Sequence, residues 1–168
     1  MSNLFLITGP AGVGKSTISS SLAACKTKSV LIEGDDIYHQ VVGGYVSPWM
    51  DGNHLDVFWK VCIETINIYL NHGYDVIFNY ILDKENLNLL KNTFKNKKIK
   101  FICLLSSKET LIKRDKQRPI DCQMKERCLE LLQEFIDEKF NDNNILYTDN
   151  LSVEDVVSLI NDSEKYLI

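Results

Sequence analysis

The sequence predicts an α/β fold in which a five-stranded parallel sheet carries helices on both faces. Two observations predict it. Short apolar runs of strand length alternate with segments of helical period along all 168 residues, as in parallel sheets joined by crossover helices. The first strand also runs into a glycine-rich turn and then a helix, Gly9-Pro10-Ala11-Gly12-Val13-Gly14-Lys15-Ser16. That is the context a phosphate-binding G-x-x-x-x-G-K-S loop requires.

The elements follow in order. Leu4 to Ile7 is a buried strand, and Ser16 to Ala24 a helix with apolar residues at helical spacing. Val30 to Ile32 is the second strand. Residues 53–72 form the clearest amphipathic helix, with Leu55, Phe58, Trp59, Cys62, Ile63, Ile66, Tyr69 and Leu70 repeating at three and four. Asn71-His72-Gly73 ends it. Val76 to Phe78 is the third strand, and residues 84–96 a more polar helix with Leu87, Leu90 and Phe94 inward. Ile99 to Leu105 is the longest apolar strand. Ser106 to Glu109 reads as a capping box that starts another helix, which Pro119 closes. Residues 122–140 read as helical, with Cys128, Leu131, Leu132, Phe135, Ile136 and Phe140 on one face. Ile145 to Tyr147 is the fifth strand, and Ser152-Val-Glu-Asp155 caps a last helix over 153–161. No repeat, linker or low-complexity segment divides the chain, so 1–168 reads as a single domain.

Bulk properties narrow the function classes. Hydrophobic content of 45% and charged content of 25% suit an ordinary globular core. The net charge of −4, with both signs mixed along the chain, disfavours a nucleic-acid or anionic-membrane surface. No apolar run approaches membrane-spanning length, and no leading basic-apolar-small pattern marks a secretory signal. The five cysteines are scattered without a C-x-x-C pair, which suits a reducing cytoplasm. The sequence leaves monomer and homodimer open.

The loop Gly9–Ser16 implies a nucleoside triphosphate. Its glycines let backbone N–H groups converge on phosphate oxygens, and the helix N-terminus adds its positive dipole end. Lys15 is expected to reach the β- and γ-phosphates, Ser16 to ligate Mg²⁺ and Thr17 to touch the α-phosphate. Glu33-Gly34-Asp35-Asp36 lies just past strand two, at the same end of the sheet. A phosphoryl acceptor needs a carboxylate to orient its hydroxyl and take its proton; Asp35 is expected in that role. The alternative makes Asp35 or Asp36 a helix N-cap. The run Lys113-Arg114-Asp115-Lys116-Gln117-Arg118-Pro119 places Arg114 and Arg118 on one helix face. They are expected as lid arginines over the transferring phosphate, Arg114 also contacting the nucleotide; the alternative is a solvated helix end. Arg127 either joins them or pairs with Glu130 or Glu134. Tyr38, His39, Tyr45 and Trp49 lie in a glycine- and aromatic-rich stretch that suits a small-molecule pocket. Tyr38, His39 and Trp49 are expected acceptor contacts over about 35–54, with core packing as the alternative for each ring and a surface position for the histidine.

Together these features resemble the small P-loop kinases, a group that includes shikimate kinase, gluconate kinase, chloramphenicol phosphotransferase and the kinase half of polynucleotide kinase. The chain is similar in particular to the bacterial AAA_33-type kinases, through Ile-Thr-Gly-Pro-Ala-Gly-Val-Gly-Lys-Ser-Thr at 7–17, Ile-Glu-Gly-Asp at 32–35, Val-Val-Gly-Gly-Tyr at 41–45 and Glu-Arg-Cys-Leu-Glu-Leu at 126–131. The resemblance implies a nucleoside-monophosphate-kinase-like fold with a helical lid near 114–126, and ATP and Mg²⁺ as cofactors. It implies Asp35 as acceptor-binding base, Glu33 as a carboxylate near Mg²⁺, Arg114 and Arg118 as lid arginines, and Thr148-Asp149-Asn150 as the loop beside adenine. Two departures stand out. Strand three ends in Asn79 where many P-loop relatives carry an acid. The His-Pro that follows Gly-Asp in gluconate kinases is absent, since the chain reads Asp36-Ile-Tyr-His39-Gln.

The expected function is transfer of the γ-phosphate of ATP to an alcohol group of a small molecule: a sugar acid, nucleoside, antibiotic or other metabolite. A polynucleotide 5′-hydroxyl kinase would need a basic groove. A nucleotide switch without an acceptor is the third reading, although Asn96-Lys97-Lys98-Ile99 is not the guanine-reading Asn-Lys-x-Asp.

Overall fold

The computed structural model describes residues 2–50 and 52–168, without the Cys122 side chain. Five strands, β1 (Asn3–Thr8), β2 (Ser29–Glu33), β3 (Asp75–Asn79), β4 (Lys98–Leu105) and β5 (Ile145–Tyr147), form one parallel sheet in the order β2-β3-β1-β4-β5. Each strand of the central trio is buried through most of its length. Covered on both faces, such strands read as continuous apolar runs rather than alternating ones.

The helices are α1 (Lys15–Ala24), α2 (Gly34–Tyr38), α3 (His54–Asn71), α4 (Lys84–Thr93), α5 (Lys108–Lys116), α6 (Glu126–Asp137) and α7 (Val153–Asp162). Right-handed crossovers put helices on opposite faces when the chain moves in opposite directions across the sheet. The step from β1 to β2 goes one way, and those from β2 to β3, β3 to β4 and β4 to β5 go the other. So α1, with α7 packed on it, lies on one face, and α3 and α4 on the other. Connections leaving the adjacent strands β1 and β4 therefore diverge, opening a crevice at their carboxyl ends where ligands bind in such sheets.

Local chemistry shifts several expected boundaries. The cap of α5 is Ser107, not Ser106: its Oγ accepts the Thr110 N–H at 3.2 Å. The expected helix over 122–140 shrinks to α6. Residues 120–122 form a 3₁₀ turn, and Lys125 has φ 50°, a left-handed value no helix accommodates. The buried Asp115 carboxylate holds that turn, accepting the N–H of Met124 at 2.9 Å and of Lys125 at 2.8 Å. Ile136, expected inward, is exposed, whereas Phe140 is buried beyond the helix end. The helix over 84–96 ends at Thr93, with Phe94 buried at its C-cap. Ser152 and Asp155 form the expected capping box of α7. One device was not expected: Lys100, buried in β4, donates from Nζ to the carbonyls of Ile160 at 2.8 Å and Asn161 at 2.7 Å, a cation on the carbonyl end of α7.

Candidate active site

The loop between β1 and α1 is shaped by its glycines. Gly9 has φ 142°, and a Cβ there would sit 2.3 Å from the Leu104 carbonyl oxygen. Only glycine lets the loop drop against β4 in the crevice. Gly14, with φ 105°, caps α1 in the left-handed region. Pro10, Ala11, Gly12 and Val13 complete the turn, closed by the Val13 N–H on Pro10 O at 3.4 Å. Lys15 folds back over it, donating to Gly9 O at 2.9 Å and Pro10 O at 3.2 Å. Desolvation pulls the Lys15 ammonium down to about 8; Asp35 and Glu33 oppose that shift, and Arg118 adds to it. Thr17 is exposed in the first turn of α1.

Register builds the next group. Glu33 and Asn79 are partners at the carboxyl ends of β2 and β3. The Asn79 amide donates to Glu33 Oε2 and, at 3.2 Å, to Ser16 Oγ, while Ser16 donates to Glu33 at 3.4 Å. Burial and then Asp36 push the Glu33 carboxyl up, against the hydrogen bond from Ser16. Among the described residues no three His, Cys, Asp or Glu side chains converge into a metal cage. Mg²⁺ on a phosphate substrate usually takes only one or two protein oxygens, and the oxygens of Ser16 and Glu33 fit that demand. Asn79 was noted only as a missing acid. Its contact pattern makes it the clamp between the two.

Asp35 and Asp36 sit in the first turn of α2, whose N-cap is Glu33, so neither aspartate caps the helix and both are exposed. Gly34 is there for space rather than for a sharp turn: a Cβ would lie 2.4 Å from Tyr80 Cδ2. Tyr80 follows Asn79 directly and packs on Phe58 with ring centroids 4.8 Å apart. Burial, with Asp35 next, pushes its phenol well above the usual range.

The arginines divide. Arg114 is not free to act as a mobile lid here. Its Nη1 donates to Val13 O and Thr148 Oγ1, both at 2.9 Å, and its Nη2 to Thr148 O at 3.0 Å. It ties the phosphate loop to the segment after β5, where Asp149 in turn accepts from Ser107 N at 2.9 Å and Oγ at 2.6 Å. Arg118 differs: its Nη1 lies 3.5 Å from Asp115 Oδ1, buried and without a hydrogen-bond partner. Arg127 pairs with Glu130 at 3.0 Å and Glu134 at 2.9 Å, away from the site.

The expected acceptor residues fare unevenly. Tyr38 is buried; its hydroxyl donates to Val46 O at 2.6 Å and its ring meets Tyr45, His54 and Phe58 edge-on. It anchors a loop rather than presenting a free hydroxyl. His39 is exposed and stacks on Tyr45. Trp49 is 82% exposed and lines no cavity with them. Around Tyr38 lie His54 and Phe58, with Tyr80 packed on Phe58. Phe58 is in the core, as its helical spacing predicts. The signal for Tyr80 was its place one residue past strand three, at the site's own end of the sheet.

Comparison with known proteins agrees with the fold. The family model of the AAA_33 domain, described as an AAA domain, matches residues 4–137. No curated protein sequence matches significantly. Among solved structures, the chain is similar to the Deinococcus radiodurans tunicamycin resistance protein, with a TM-score of 0.68 and 15% identity over 96% of this chain and 95% of that one. It is similar to a sugar kinase from Janibacter sp. HTCC2649, with a TM-score of 0.68 and 16% identity over 99% of this chain and 94% of that one. It also resembles a chain of the Pnkp1/Rnl/Hen1 RNA repair complex, with a TM-score of 0.62 and 21% identity over 83% of this chain and 46% of that one. No helix of the described residues is long and apolar enough to cross a membrane. With its phosphate loop seated between β1 and β4 and the family model spanning most of its length, the chain belongs to the AAA_33 domain family and has the fold of the P-loop kinases.

Proposed function

We propose that this protein is an ATP-dependent phosphotransferase that moves the γ-phosphate to an alcohol group of a small molecule. The observation that carries the reading is the group at the carboxyl ends of the strands: Lys15 on the loop carbonyls, Ser16 and Glu33 joined through Asn79, and the exposed Asp35 two residues past Glu33. A phosphate loop alone serves many functions; an exposed carboxylate just past that group suits phosphoryl transfer.

Backbone N–H groups of Gly9–Ser16 bind the phosphates, and Lys15 leaves the Gly9 and Pro10 carbonyls to follow them. Ser16 and Glu33 would hold Mg²⁺, which when bound would neutralise phosphate charge. Asp35 orients the acceptor hydroxyl and takes its proton. Arg118, ion-paired with Asp115 at 3.5 Å through an Nη1 that makes no hydrogen bond, supplies its guanidinium to the charge that builds on the equatorial oxygens. Arg114 and Thr148 border the nucleotide base. The net charge of −4 favours a small acceptor over a polyanion.

ADP release from Mg-ATP against pooled alcohol acceptors tests the reading. One pool is expected to stimulate release, and Asp35→Asn to lower that stimulated rate by about 10²–10⁴ while ATP still binds. No stimulation by any pool, or normal turnover in Asp35→Asn, overturns it.

A further inference from the structure

A cavity of about 310 Å³ lies between α2, the loop after it and the start of α3, lined in part by Ile37, Tyr38, Tyr45, His54, Val57 and Phe58. That is the small end of ligand pockets, roughly 300–1,000 Å³. Its chemistry is one-sided. Valines 41, 46, 57 and 61 join the rings in the lining, no lysine or arginine is among the lining residues, and the polar side chains without aromatic carbon are reduced to Gln40. The Tyr38 hydroxyl is already committed to Val46 O. One group stands out: His54 Nε2 is buried and has no hydrogen-bond partner among the described residues. A buried polar nitrogen left unpaired is costly, a cost that a ligand's single polar group would remove.

The cavity adjoins the proposed base. Asp35 and Tyr38 are on the same short helix, three residues apart, or about 4.5 Å along its axis. Tyr80 bridges the two places: it packs against Gly34 on one side and against Phe58, which lines the cavity, on the other. A hydroxyl held at Asp35 would therefore carry its molecular body toward the cavity.

We infer that the acceptor is a neutral alcohol with an apolar ring-bearing body, seated in this cavity with one polar group on His54, and not a sugar acid or other carboxylate. The inference rests on the phosphotransferase reading. A carboxylate would enter with no cation to pair it and would lose its hydration, and a polyol would leave most of its hydroxyls unmatched among valine and aromatic surfaces.

Saturation-transfer NMR on the full chain tests it, with 1-phenyl-1,3-propanediol and cyclohexylmethanol as neutral probes against gluconate and shikimate. The neutral probes are expected to bind and the carboxylates not. Val57→Lys, at an exposed position on the cavity wall, is expected to weaken the neutral probes at least tenfold while ATP affinity stays within twofold. His54→Phe is expected to weaken only probes with a second polar group. In the ADP-release assay, stimulation by the carboxylates or polyols but not by the ring alcohols overturns this inference and leaves the kinase reading standing. Ring alcohols that bind and respond to Val57→Lys, with no stimulation of release by any acceptor pool, keep the cavity assignment and overturn the kinase reading. Equal binding of all four probes, or none by the ring alcohols, overturns the inference.

Discussion

The two halves of the proposed site, one for nucleotide and one for acceptor, are held by different means. On the nucleotide side the contacts are to backbone: Gly9 rests against the Leu104 carbonyl, Lys15 against two loop carbonyls, and Arg114 against the carbonyls of Val13 and Thr148. On the acceptor side the contacts are between side chains from three separated segments: Tyr38 from α2, Phe58 from α3 and Tyr80 beyond β3. Backbone contacts accept only a narrow set of residue types and so recur as a motif. A wall of side chains can be rebuilt in many ways, and that is where one member of such a family can change its substrate.

The two arginines separate these roles most sharply. Arg118→Ala is expected to lower acceptor-stimulated turnover by about 10³ with ATP affinity little changed; it also removes the cation beside the buried Asp115 carboxylate, so a lower melting temperature accompanies it. Arg114→Ala is expected to act on the nucleotide side instead. It strips three hydrogen bonds from Val13 and Thr148 and should cost about 1.5–3 kcal/mol, read by denaturant unfolding, together with ATP affinity. A similar profile for both variants would show that the two guanidiniums do one job.

The glycines give a second contrast. Gly9→Ala meets a backbone oxygen that cannot step aside and also demands a positive φ. Strain of about 1–3 kcal/mol and overpacking of about 1–3 kcal/mol should add, with loss of ATP binding by titration calorimetry. Gly34→Ala meets the Tyr80 ring, which can shift. It is expected to cost about 1–3 kcal/mol and to reduce acceptor turnover while ATP binding persists. Loss of ATP binding in Gly34→Ala would mean that the halves are not separable.

This division also explains what the sequence made legible. The alternation of strands and helices, the phosphate loop and the position of Asp35 follow from local signals: an apolar run, a glycine spacing, a carboxylate just past a strand. The lid arginines read as equivalent because the four-residue spacing put both on one expected helix face, but α5 ends at Lys116, before Arg118, and long-range contacts to Val13 and Thr148 distinguish Arg114. Tyr38 and Trp49 looked alike as pocket rings in one loop, yet one is buried and the other 82% exposed. No local pattern reports which ring of a loop turns inward. The end of the predicted helix over 122–140 was hidden for the same reason, since it depends on the Asp115 carboxylate reaching Met124 and Lys125.

Asn79 lies between the halves, and a smaller effect is expected there. Asn79→Asp would replace the amide that donates to Glu33 and Ser16 with a second carboxylate beside the first. Like charges at that range should lower stability by about 1 kcal/mol and at the same time attract cations. Thermal unfolding should therefore show a variant that is weaker without metal and more strongly stabilised by Mg-ADP over ADP than the parent. An unchanged Mg²⁺ response would remove Asn79 from the phosphate end of the site.

The smallest effect is a fraction of a proton. Lys15 titrates at about 8 in the free protein, mainly because burial disfavours its charge. The unfolded chain still binds that proton up to about 10.4, so the ligand-free fold gains stability as pH rises across that interval. A bound diphosphate does the opposite, favouring the ammonium and raising its pKa. At pH 8 the binding of ADP in metal-free buffer should therefore take up about half a proton. Calorimetry in two buffers of different ionisation enthalpy measures this directly. ADP affinity should fall as pH rises above 8, and both effects should vanish in Lys15→Met. Binding without proton uptake at pH 8 would mean that Lys15 does not leave the Gly9 and Pro10 carbonyls for the phosphates, and the nucleotide half of the site would lose its principal cation.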